Sequence, residues 1–99
     1  MINFNLITGF QWDAGNAHKN ERHDVTQAEA EQVFMDADNM LSPDTKHSLA
    51  ERRFHVLGVT IEGRFLHATF TLREANTLIR IISVRDMSRA ERKLYENQS

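Results

Sequence analysis

Cysteine is absent from this chain, and proline occurs once, at Pro43. The first absence excludes disulfides and zinc–thiolate sites, and it makes a reducing cytoplasm the expected compartment. No apolar run approaches the roughly 18 residues that a membrane-spanning helix needs. The opening residues MINFNLITGF lack a basic leader and a cleavage site, so no signal peptide is expected. No two histidines have the four-residue helical spacing of a metal motif, and HExxH is missing. Neither a metal nor any other cofactor is therefore expected. Repeats, low-complexity segments and linkers are also missing.

What is present is ordinary globular composition, 40% hydrophobic and 26% charged. Ninety-nine residues make one domain, 1–99, able to bury roughly 60–65% of its unfolded surface. The formal net charge of −2 argues by itself against a nucleic-acid binder, but the two halves disagree. Residues 1–50 hold three Lys/Arg against eight Asp/Glu, and residues 51–99 hold nine against six. A basic surface on an acidic protein fits this asymmetry, and so does internal ion pairing.

The chain is organised around residues 78–95, LIRIISVRDMSRAERKLY. Leu78, Ile79, Ile81, Ile82 and Val84 read as a strand buried on both faces. Ser88 and Glu91 form a capping box that starts a basic helix directly after it. Upstream, residues 2–12 alternate weakly as a short strand does, with Gly9 as a break. Asp13 caps a polar helix over 14–22, and Thr26 with Glu29 caps a second helix reaching Met35, whose core face is Ala30, Val33 and Phe34. Residues 36–50 read as a loop holding at most a two-residue strand at Met40–Leu41. Two strands, 53–61 and 64–72, form a hairpin about Glu62–Gly63. The expected fold is α+β: two N-terminal helices packed on an antiparallel sheet, then a C-terminal helix.

Five motifs carry a resemblance across nearly the whole chain: FQWD at 10–13, AxxNxRH from Ala17 to His23, ERRF at 51–54, GRFLHATFT at 63–71, and RIISVRDMSRAERKLYE at 80–96. In this order and spacing they resemble the BrnT toxins, ribonucleases of a type II toxin–antitoxin system similar to RelE and barnase-like endoribonucleases. The resemblance implies metal-independent cleavage of RNA, with a 2′,3′-cyclic phosphate product and growth arrest. It implies neutralisation by a BrnA-like antitoxin, and contact with operator DNA only through that partner. The chain departs from the family's pattern at Asn16, where lysine is usual, and at Asp24, where glycine is usual. The competing class is an inactive homologue that keeps only partner binding.

Arg80 and Arg85 are the first candidates for chemistry, because a guanidinium fork binds phosphate oxygens and stabilises transition-state charge. Pairing with Asp86, Glu91 or Glu51 is the structural alternative. In a regular strand the two arginines point to opposite faces, and they converge only if the strand ends or bulges near Ser83–Arg85. Glu51 and Arg53 match the family's E-x-R pair, and His23 its helix-ending histidine. His23 or Glu51 is expected to transfer protons and Arg53, Arg80 and Arg85 to hold the phosphate. Arg64 and Arg89 are candidates for binding RNA. His55 and His67 are expected to pair across the hairpin in a structural role.

Overall fold

A computed structural model describes residues 2–17 and 23–98. Its centre is a five-stranded sheet in the order β1-β5-β4-β3-β2. The strands are β1 (Gly9–Phe10), β2 (Met40–Asp44), β3 (Arg53–Val59), β4 (Phe65–Arg73) and β5 (Leu78–Asp86). The helices are α1 (Ala14–Ala17), α2 (Gln27–Gln32) and α3 (Arg89–Glu96). The α+β class stands. The expected order does not, because α1 and α2 lie between β1 and β2 instead of preceding the sheet. Nor is the sheet wholly antiparallel, since β1 runs parallel to β5.

Two further elements differ from the sequence reading. Residues 2–12 form a single 3₁₀ turn at Phe4–Leu6 and a two-residue strand, not a continuous strand. Asn3 caps that turn by accepting from the Asn5 amide, which draws the backbone away from a ladder. The polar stretch after residue 36 is not all loop either. Met40–Asp44 pairs along its whole length with β3. Its composition hid it because it is an edge strand, where Pro43 is tolerated and one side faces water. The helix expected over 14–22 is described as far as Ala17, and its continuation lies outside the described residues.

Both capping boxes form as expected, Thr26 with Glu29 and Ser88 with Glu91. Asp13 caps α1, its Oδ1 accepting from the Gly15 amide at 2.8 Å. The core lies on one face of the sheet. Val56, Leu66, Ala68, Phe70, Ile79, Ile81 and Val84 meet Val25, Ala30 and Val33, flanked by Phe10, Trp12 and Phe34. Phe34 meets Phe70 edge-on at 4.9 Å between ring centroids. Asn16 is buried among these groups and fully satisfied. Its Nδ2 donates to the Gln11 and Ile81 carbonyls at 3.0 and 2.8 Å, and its Oδ1 accepts from the Asp13 amide. Helix α3 crosses the end of the opposite face, where Tyr95 meets Phe65 edge-on and Arg92 stacks over the same ring at 4.0 Å. The Tyr95 hydroxyl donates to Asp36, which also accepts the Val59 amide.

Candidate active site

The face of the sheet turned away from the core is polar, and its layout follows from strand register. Between Thr69↔Ser83 and Phe70↔Ile81 the pairing of β4 with β5 skips Ile82. That extra residue is a β-bulge, and it reverses the alternation of everything beyond it. Arg80 sits opposite Thr71 and Arg85 opposite His67, so both arginines share the face of Thr69. The convergence that the sequence made conditional on a bulge therefore occurs, one residue before Ser83.

The registers of β2 to β5 arrange this face in rows. One row reads Asp44, Arg53, Thr71, Arg80; the next reads Ser42, His55, Thr69, Ser83; the third reads Met40, Leu57, His67, Arg85. Three hydroxyls and a histidine thus lie in the middle row. Arginines stand in the rows on either side, with strands about 4.8 Å apart. The third row is bounded by α3, whose Glu91 reaches Arg85.

Two of the three arginines are held in place. Arg80 is bidentate to Asp13, with Nη1–Oδ2 at 2.9 Å and Nη2–Oδ1 at 3.0 Å, and also donates to Gln11 Oε1 at 3.0 Å. The FQWD motif therefore supplies the two groups that aim Arg80. Gly15 leaves room for this approach: a Cβ there would lie 2.9 Å from Arg80 Nη2 and would push the end of the guanidinium aside. Arg85 is bidentate to Glu91 at 2.7 and 3.0 Å. That hydrogen bonding is the main reason the Glu91 carboxyl titrates at about 2, against the opposing effect of its burial. Among the described residues, no carboxylate lies within ion-pair distance of Arg53.

The other expected residues are placed differently. Glu51 pairs with Arg73 at 3.1 Å, and its charge bears on Arg80. Arg64 uses all five of its N–H groups, on Asp86 Oδ1 and Oδ2, Glu29 Oε2, and the carbonyls of His23 and Asp24. None is left for a phosphate. His23 is exposed and lies beside Asp86, whose register partner is the core residue Leu66. It thus sits at the far end of β5, away from the face that carries Arg80 and Arg85. Asp24 adopts φ 54°, which explains why glycine suits this position. Arg89 is exposed on the first turn of α3.

The sequence reading passed over a line of polar contacts across this face. His67 Nε2 lies 3.1 Å from His55 Nδ1, and His55 Nε2 lies 3.2 Å from Asp44 Oδ2. Thr69 Oγ1 is also 3.1 Å from His55 Nδ1. The two histidines do pair across the hairpin as expected. Asp44 could not be anticipated as their partner while residues 36–50 were read as loop.

Residues 12–91 match the family model described as the ribonuclease toxin BrnT of a type II toxin–antitoxin system. A search of curated proteins finds no match.

Proposed function

From the premise that the chain belongs to the BrnT family, the ribonuclease toxins of type II toxin–antitoxin systems, we propose that the polar sheet face binds RNA and cuts it without a metal ion. The observation that supports this is the shared face of Arg53, Arg80 and Arg85, created by the bulge at Ile82. Three guanidinium groups around a row of hydroxyls suit a phosphodiester, whose non-bridging oxygens gain negative charge as the 2′-hydroxyl attacks phosphorus. Asp13 and Glu91 preorganise two of the forks, so less ordering remains for the moment of reaction. In this reading Glu51, at the Arg80 end, accepts the 2′-hydroxyl proton. The phosphorus–5′-oxygen bond breaks and a 2′,3′-cyclic phosphate remains. His23 and Arg64 support the edge of the fold and do not touch the scissile phosphate. Arg89 extends the positive surface along which the RNA strand runs.

The partner in this reading is a BrnA-like antitoxin, which reaches operator DNA on the toxin's behalf, in the cytoplasm. RNA and an acidic antitoxin segment are drawn to the same cations, so the antitoxin inhibits by covering them.

A second reading, an inactive partner-binding module, draws on the carboxylates already seated on Arg80 and Arg85. Incubation of the purified protein with total RNA in EDTA separates the readings. Cleavage with cyclic-phosphate ends supports the first. Cleavage lost in EDTA and restored by magnesium or zinc overturns its metal independence. No cleavage under either condition, together with no growth arrest on expression, favours the second.

A further inference from the structure

The reaction needs a proton at the departing 5′-oxygen, and none of the arginines supplies one. Resting on the ribonuclease reading, we infer that His55, oriented by Asp44, is the general acid of this face and that His67 is its positioning partner.

The geometry assigns the protons. His55 Nε2 lies 3.2 Å from Asp44 Oδ2, and because an ionised carboxylate can only accept, Asp44 favours the hydrogen on that nitrogen. That leaves His55 Nδ1 as the nitrogen that gains and loses a proton. It faces Thr69 Oγ1 and His67 Nε2, both at 3.1 Å. A hydrogen on His67 Nδ1 has the residue's own backbone carbonyl to bond to, and no other partner for that buried nitrogen lies among the described residues. His67 Nε2 is therefore the acceptor that holds the hydrogen on His55 Nδ1. Burial, and next the charge of Arg85, push His67 down to about 4. The carboxylate of Asp44 stands behind His55, whereas burial disfavours charge on His67. The arrangement has the logic of a carboxylate–histidine pair that fixes one ring nitrogen and leaves the other for chemistry.

The placement fits the reaction. His55 occupies the middle row with Thr69 and Ser83, while Arg53 and Arg80 stand in one neighbouring row and Arg85 in the other. The charged and titratable groups around it are Asp44 on β2, His47 beyond it, Arg53 on its own strand, His67 on β4, Arg85 on β5 and Glu91 on α3. The step balances. The 2′-oxygen–phosphorus bond forms as the 2′-hydroxyl proton passes to Glu51. The phosphorus–5′-oxygen bond breaks as His55 Nδ1–H gives its proton to the leaving oxygen. Solvent then returns a proton to His55 and removes one from Glu51.

The test compares wild type, His55→Ala, His55→Gln and Asp44→Asn on two versions of one mapped RNA oligonucleotide. One has the natural 5′-oxygen at the cleavage point, and the other a bridging sulfur, which leaves without protonation. Thermal melts identify the variants that keep the fold, and His55→Gln retains an amide N–H for Asp44. Loss of a general acid costs about 10²–10⁴-fold on the natural RNA. The expected result is a loss in that range for both His55 variants, little loss on the sulfur substrate, and disappearance of the alkaline limb of the pH–rate profile. Asp44→Asn should move that limb without abolishing it. Equal loss on both substrates, or no loss in a folded His55 variant, overturns the inference while the ribonuclease reading stands. If wild type cleaves neither substrate, the ribonuclease reading itself fails and the inference falls with it.

Discussion

Arg80 and Arg85 are five positions apart on β5 yet face the same side of the sheet, because Ile82 is an extra residue opposite β4. Ile79, Ile81 and Val84 face the core, while Arg80, Ser83 and Arg85 face the polar rows. Deleting Ile82 should therefore leave every one of these residues on its present face, in a regular strand. Inserting one residue between Val84 and Arg85 should instead turn Arg85 inward. The expected outcome is a folded deletion variant and a strongly destabilised insertion variant, compared by urea denaturation. A deletion variant that fails to fold while the insertion is tolerated would show the register to be assigned wrongly.

Replacing Arg80 or Arg85 by alanine should lower RNA cleavage by about 10²-fold or more, the scale of losing one transition-state donor. Arg85→Ala also leaves Glu91 without its fork, and Arg80→Ala leaves Asp13 and Gln11 without theirs. Each should cost about 1 kcal/mol of stability in addition. Single-turnover rates on one RNA, beside denaturation curves, separate the two effects. Full activity in both variants would remove these residues from the reaction.

Stability should depend on pH through His67. Burial and then Arg85 depress it from its ordinary 6.5 to about 4, so the unfolded chain binds a proton more readily between those values. Stability from this group is whole above pH 6.5 and is lost as pH falls toward about 4. In His67→Leu the slope over that window should shrink, as measured by chemical denaturation at a series of pH values. An unchanged slope would mean that His67 is not held neutral.

Asp24 tests the cost of a departure from the family pattern. At φ 54° a β-branched residue is strained, so Asp24→Val should lose about 1–2 kcal/mol. Asp24→Gly relieves strain but adds freedom to the unfolded chain, and should fall within about 0.5 kcal/mol of the parent. Thermal melts of the two variants decide it. A valine variant as stable as the parent would contradict the assigned turn.

Short-range chemistry was legible in the residues themselves. The capping boxes at Thr26 and Ser88, the Asp13 cap, the turn at Glu62–Gly63 and the inward stripe of Ala30, Val33 and Phe34 follow from spacings of two to four residues, and all of them form. Such features depend on side chains bonding to backbone close by, so the local sequence determines them. The family is legible for the same reason, since its motifs stand in order along the chain. The arrangement of the sheet face is not local. Whether Arg80 and Arg85 converge depends on which residue β5 leaves unpaired against β4, and alternation along one strand carries no record of its neighbour's register. The Asp44–His55–His67 line needs β2 at the edge of the sheet, a strand whose polar, proline-containing sequence reads as loop until β3 pairs with it. Arg64 looked like an RNA ligand until His23, Asp24, Glu29 and Asp86, from three separate parts of the chain, closed around its guanidinium. The sequence determined which groups could bond. Tertiary packing decided which of them meet, because pairing between strands is set by the burial of whole faces and not by any one residue's preference.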